Sequence, residues 1–112
     1  MRTLKTSVRS AGDTTIVDLE GAIDVGNSRD LRTSLFETLW ATPRLALNMT
    51  GIGYMDSSGI ATLVELLKRA QELDKDFLMF GVAEKIHAVL KMTSLLGVFQ
   101  IFDNEEHALQ DR

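Results

Sequence analysis

The sequence has no cysteine among its 112 residues, and this absence removes several classes of protein at once. Disulfide frameworks, thiol nucleophiles and thiolate metal sites are all excluded. Lysine and arginine form no run and the net charge is −4, so binding to nucleic acid through phosphate contacts is not expected. No apolar run approaches the roughly 18 residues of a membrane helix, and residues 1–5 lead into no signal-peptide segment. We therefore expect a cytoplasmic protein without direct membrane insertion.

The composition that remains is that of an ordinary globular protein. Hydrophobic residues make up 45% of the chain and charged residues 25%. No low-complexity segment, internal repeat or linker interrupts the sequence. A chain of this length can build one hydrophobic core, so we expect a single domain over residues 1–112.

The middle of the chain joins a strand pattern to a helix pattern. Apolar residues alternate over 45–49, as in a strand with one buried face. Further on, apolar residues recur at helical spacing: Ile60, Leu63, Val64 and Leu67. Asp56, Ser57 and Ser58 lie between these patterns, where free backbone N–H groups and the helix dipole favour an anion. One N-cap would need only one of them, so three polar residues in a row favour a further role.

The other patterns predict the element order ββαβαβαβα. Two opening strands, Thr3–Val8 and Thr14–Glu20, are joined by a turn at 11–13 and are expected to be antiparallel. Strands and helices then alternate: a helix from Asn27 or Ser28, strand 44–49, a helix to about Leu73, strand 77–80, a helix around Ile86, strand 99–101 and a last helix opened by Asn104. This order predicts an α/β protein with a mixed β-sheet and parallel crossovers.

Some local details follow from the same patterns. The first of the helices is expected to bury Leu31, Leu35, Leu39 and Trp40, which recur at helical spacing. Residues Gly21–Asp24 are expected to end the second strand. Gly51 and Gly53 are interpreted as turn residues, because the further glycine and lysine of a phosphate loop are missing.

Catalysis has little support. A nucleophile elbow requires Gly-x-Ser-x-Gly, and the stretch from Met55 to Gly59 supplies only the second glycine. His87 lies on the polar side of its helix and His107 lies in the terminal helix, so both are expected to be solvated. Two isolated histidines without paired carboxylates predict no metal site and no cofactor. The chain is therefore not expected to be an enzyme, and Ser57 or Ser58 is left as an acceptor of phosphate.

Several of these segments together resemble the STAS-domain anti-sigma-factor antagonists. The resemblance covers nearly the whole chain: Gly21–Asp24, Pro43–Leu47, Tyr54–Ile60 and Thr93–Leu96. It implies a STAS-like fold and matches Ser57 to the serine that an anti-sigma factor serine kinase phosphorylates. It also implies that the unphosphorylated protein captures this kinase and frees the sigma factor, and that a phosphatase resets the cycle.

A partner surface is expected around this motif and on the exposed flank of the helix that follows it, because the apolar stripe of that helix must face the sheet. The residues expected there are Asp24, Asp56, Ser57, Ser58, Gly59 and Arg69. Two positions depart from the family pattern, since Asn48 replaces a common aspartate and Leu95 replaces a usual glycine, both on expected partner surfaces. Single STAS domains also serve as subunits of lipid-transport ABC systems, where a hydroxyl at this turn meets the ATPase. Binding to an ABC ATPase is therefore the alternative function.

Overall fold

The structure, a computed structural model, describes residues 3–93 and 96–110. Its elements, in chain order, are β1 (Leu4–Ala11), β2 (Thr14–Ile23), α1 (Ser28–Trp40), β3 (Arg44–Met55), α2 (Ser57–Glu72), β4 (Asp76–Phe80), α3 (Glu84–Lys91), a short 3-10 helix (Leu96–Val98), β5 (Gln100–Phe102) and α4 (Glu105–Gln110). The predicted order of strands and helices is confirmed. The expected Thr93–Leu96 motif falls partly on positions 94 and 95, which lie outside the described residues.

The five strands form one mixed sheet in the order β1-β2-β3-β4-β5. Strands β1 and β2 are antiparallel, and each later neighbour is parallel. Gly12 takes a φ of 64° in the tight turn between β1 and β2, a conformation that a glycine adopts without strain. The predicted hairpin and mixed sheet are confirmed, and all carboxyl ends of β2, β3, β4 and β5 point to the same edge.

The sheet separates two apolar layers of unequal size. Helices α1, α2 and α3 pack on one face and enclose the larger core, which includes Val17, Leu47, Leu63 and Ile86. Helix α4 covers part of the opposite face through its fully buried Ala108. Four sheet residues lie beneath this helix: Ile16, Ala46, Leu78 and Phe80. Strand β4 is thus covered on both faces, as its continuous apolar sequence predicted.

Strands β2 and β3 are longer than predicted. Strand β2 was expected to end at the segment Gly21–Asp24. It instead continues through most of that segment and ends at Ile23. The turn assigned to Gly51 and Gly53 is also wrong, since both lie within β3. A Cβ atom at position 51 would lie 2.8 Å from the Leu19 carbonyl oxygen, so this glycine permits close approach of the two strands at an irregularity in their register.

Trp40 is the other departure from the predicted core. It is 70% exposed, whereas Leu39 is fully buried. Trp40 points about 100° around the helix from Leu39, and at the last turn of α1 that direction faces solvent. The ammonium group of Lys75 donates hydrogen bonds to the carbonyl oxygens of Leu39 (2.8 Å) and Trp40 (2.6 Å), which fixes this end of the helix.

Candidate functional site

The candidate site lies where β2 and β3 end side by side. Ile23 is in register with Met55, and the backbone N–H of Asp56 donates to the Ile23 carbonyl oxygen at 3.2 Å. Each strand is followed within a few residues by a helix, α1 after β2 and α2 after β3. The loop 24–27 and the first turn of α2 are therefore brought together at one edge of the sheet.

Asp56 is the N-cap of α2 and the hub of the site. Its Oδ1 accepts hydrogen bonds from the Ser58 hydroxyl at 2.5 Å and from the backbone N–H groups of Ser58 at 2.9 Å and Gly59 at 3.4 Å. Its Oδ2 accepts from the backbone N–H of Val25 at 3.3 Å, which ties the loop 24–27 to the helix. These donors, above all the Ser58 hydroxyl, lower the pKa of Asp56, so the carboxylate is charged at neutral pH.

The two serines differ in what surrounds them. Ser58 is half-buried, its hydroxyl is committed to Asp56, and its carbonyl oxygen accepts from the Thr62 hydroxyl at 3.0 Å. Ser57 is exposed, and within residues 3–93 and 96–110 its hydroxyl has no hydrogen-bond partner. An exposed hydroxyl without competing bonds is the one that an incoming reagent or enzyme can reach.

Gly59 contributes through packing rather than exposure. It is buried, and a Cβ atom there would lie 2.4 Å from Met55 Cγ and 2.9 Å from Ile23 Cγ2. Only a glycine lets the first turn of α2 sit directly on the ends of β2 and β3. The sequence signal for the glycine was visible, but its function in packing was not, because the contact is made with residues of two different strands.

Asp24 begins a loop that is held in place by its own polar side chains. Its Oδ1 accepts from the Gly26 backbone N–H at 2.9 Å. Asn27 Oδ1 accepts from the Asp24 backbone N–H at 3.1 Å, while Asn27 Nδ2 donates to the Ala22 carbonyl oxygen at 2.9 Å. Asn27 stands at the N-cap position of α1 but holds the loop instead of the helix. The Asp-x-Gly-Asn spacing, which is typical of such turns, was the available signal for this role.

Arg69 lies apart from the other predicted partner residues. It is twelve positions after Ser57 on α2, about 18 Å along the helix axis. Its guanidinium group pairs with Glu72 at 3.3 Å and lies 5.2 Å from the centre of the Phe36 ring. Arg32 of α1 lies against the same ring at 4.5 Å and pairs with Glu65 of α2. These contacts make Arg69 part of the packing between α1 and α2.

Asn48 lies on the face of the sheet that α4 covers in part, about 26 Å along β3 from Asp56. Its Nδ2 donates to Asp18 Oδ1 at 2.8 Å. Arg9 also donates to Asp18, through Nε and Nη2, and to Glu105 of α4, through Nη1 and Nη2. Together these donors lower the pKa of Asp18, with Arg9 the largest cause. An aspartate at position 48 would place a second carboxylate against Asp18. The neutral amide of Asn48 instead donates a hydrogen bond to that carboxylate and avoids repulsion between like charges.

The other expectations about chemistry concern histidines, metals and membranes. His87 and His107 are both exposed, as predicted. In the part of the chain that the structure describes, no cluster of three or more His, Asp or Glu side chains is placed to hold a metal ion. Across residues 3–93 and 96–110, no helix combines the length and the apolar character needed to cross a membrane.

Comparison with known proteins gives the family. The model of the STAS domain family matches residues 5–108, and the chain belongs to this family. The anti-sigma-B factor antagonist of Staphylococcus aureus is 28% identical over 101 residues, which span 84% of this chain and 94% of that protein.

Solved structures show the same fold at lower identity. An anti-sigma factor antagonist from Mycobacterium paratuberculosis has a TM-score of 0.88 at 16% identity, over 96% of this chain and 92% of that one. The Bacillus cell fate determinant SpoIIAA in its phosphorylated form has a TM-score of 0.75 at 17% identity, over 96% of this chain and 98% of that one. The STAS-like fold expected from the sequence is thus confirmed.

Proposed function

We propose that the chain is an anti-sigma factor antagonist controlled by phosphorylation of Ser57. In this account the unphosphorylated protein binds an anti-sigma factor that is also a serine kinase, and the bound sigma factor is released. Phosphorylation of Ser57 ends the complex, and a phosphatase restores the hydroxyl. The chain itself performs no catalysis. Its action in the cytoplasm remains a prediction from the sequence.

The main support is the contrast between two neighbouring serines. The Ser57 hydroxyl is exposed and has no hydrogen-bond partner among the described residues, whereas the Ser58 hydroxyl is bonded to Asp56. The environment favours Ser57 over Ser58, since phosphorylation of Ser58 would first require its bond to Asp56 to break. The relative from Staphylococcus aureus supports the class of partner, because it is an anti-sigma-B factor antagonist. The phosphorylated form of SpoIIAA supports a phosphate-controlled cycle in proteins of this fold.

The added phosphate must act on the interface rather than on the fold. A phosphate at the N-terminus of α2 is favoured by the helix dipole, by about 0.3–1 kcal/mol. The negative charge of Asp56 opposes this small gain. A hundredfold loss of affinity corresponds to about 2.8 kcal/mol, which is more than these local effects supply. The loss therefore comes from placing a dianion against a partner surface that fits a neutral hydroxyl.

The test is phosphorylation by purified anti-sigma serine kinases encoded in the same genome, with phosphopeptide mapping. We expect phosphate on Ser57, none on the Ser57→Ala protein, and retained phosphorylation in Ser58→Ala. Phosphate retained in Ser57→Ala but lost in Ser58→Ala would reverse the assignment. If no such kinase binds or modifies the chain and a purified ABC ATPase binds it instead, the proposed function is wrong.

A further inference from the structure

Val25 is the most exposed large apolar residue beside Ser57. Its side chain is 81% exposed, although its backbone N–H is bonded to Asp56. The bonds of Asp24 and Asn27 described above fix the same loop. A single exposed valine is common on protein surfaces. This one, however, stands on an ordered loop, so a partner that contacts it loses little conformational entropy from this side.

A groove of about 270 Å³ opens next to this loop, between the N-terminal halves of α1 and α2. We call it the α1–α2 groove, and it is lined by Ser28, Arg29, Arg32, Ser58, Ala61, Thr62 and Glu65. Arg32 is neutralised by Glu65. Arg29 is exposed, and among the described residues no carboxylate pairs with its guanidinium group. The groove therefore carries one uncompensated positive charge, close to Ser58 and the start of α2.

We propose that the partner that acts at Ser57 docks across Val25 and into the α1–α2 groove. It would place an apolar side chain on Val25 and a carboxylate on Arg29. This proposal rests on the proposed function, because it takes the anti-sigma serine kinase as the occupant. Val25 and Arg29 then serve as specificity determinants that the sequence analysis did not include.

Two features favour this occupant. The surface is continuous with Ser57, since Val25 and Ser58 are bonded to opposite oxygens of the same Asp56 carboxylate. An enzyme that brings its nucleotide to the Ser57 hydroxyl must cover that carboxylate and its neighbours. The unpaired Arg29 selects for an acidic group on the covering surface, because a cation left unpaired when it is desolvated weakens a complex.

The test compares two variants with matched controls by calorimetric titration against the purified kinase in the presence of ADP. Val25→Ala is matched by Val8→Ala, since Val8 is also exposed (59%) but lies on the edge strand β1. Arg29→Glu is matched by Lys68→Glu on an exposed position of α2, eleven residues beyond Ser57. All four residues are exposed, so circular dichroism melts are expected to stay unchanged.

We expect Val25→Ala to weaken binding about tenfold, the effect of losing a buried apolar contact. Arg29→Glu is expected to weaken binding at least as much and to reduce its salt dependence. The controls should bind within about twofold of the unmodified protein. If the unmodified protein binds and is phosphorylated while both variants match their controls, the docking surface is wrong and the proposed function stands. If the unmodified protein binds no such kinase, the proposed function itself fails.

Discussion

At the scale of single residues, the site depends on which polar groups are committed and which are left over. Asp56 takes the first backbone donors of α2, the Ser58 hydroxyl and the loop N–H of Val25. The Ser57 hydroxyl is left exposed by this arrangement. Of the three polar residues in a row, Asp56 caps the helix, Ser58 supports the cap with its hydroxyl, and Ser57 presents an exposed hydroxyl. The distinction arises from hydrogen bonds rather than from residue type.

Gly59 offers a direct check on the packing beneath this turn. We predict that Gly59→Ala lowers the free energy of unfolding by about 1–3 kcal/mol, because the added methyl group meets Met55 and Ile23. The gain in helix propensity, about 1 kcal/mol, offsets only part of this clash. Urea denaturation measures the difference.

Gly53→Ala is the matched control, since among the described residues, apart from its own chain neighbours, no atom lies within 4 Å of a Cβ placed at that position. Its free energy of unfolding should equal that of the unmodified protein or exceed it slightly. Equal stability of the Gly59 and Gly53 variants would show that α2 does not need its close approach to the strands.

At the scale of the elements, the C-terminal end of α1 is stabilised by Lys75, which lies in the connection between α2 and β4. The helix has no basic residue in its last turn, and the Lys75 ammonium group supplies the missing charge by bonding two of its terminal carbonyl oxygens. The bonds join the end of α1 to the start of β4, far along the chain. Packing of α1 against the sheet is therefore secured at the end opposite to Ser57.

We predict that Lys75→Met lowers the free energy of unfolding by about 1–2 kcal/mol, because two carbonyl oxygens lose a charged donor. The fluorescence of Trp40 should change as well, since the ammonium group lies 5.8 Å from the centre of its ring. Lys68→Met, at an exposed position of α2, is the control and should alter neither quantity. A Lys75→Met protein with unchanged stability would remove the proposed capping of α1.

At the scale of the whole molecule, local patterns predicted most elements but not all their limits. The alternation over 45–49 and the helical spacing after Ile60 depend on contacts with one neighbouring layer, and both were confirmed. Gly51 looked like a turn because its true constraint, the approach of Leu19, comes from a distant strand. Trp40 was assigned to the core because spacing does not show where the sheet beneath a helix ends.

The sequence identified the central residues of the candidate site, but it did not show which other segments lie beside them. The stretch around Ser57 was recognised, whereas the loop carrying Val25 was not, since its link to Asp56 joins two separate strand ends. Arg69 was grouped with the site because it shares α2 with Ser57, yet the length of the helix separates them. Partner contact by Arg69 and Gly59 stays a prediction.

A phosphate on Ser57 is expected to alter binding to the partner and to leave the fold intact. The most direct measurement is a calorimetric titration of the purified anti-sigma kinase, with ADP, against the chain phosphorylated on Ser57 and against the unmodified chain. We expect phosphorylation to weaken binding by about a hundredfold or more, equivalent to about 2.8 kcal/mol, with melting temperatures that agree within a few degrees. Equal affinities of the two forms, or a loss of binding accompanied by a large fall in melting temperature, would contradict it.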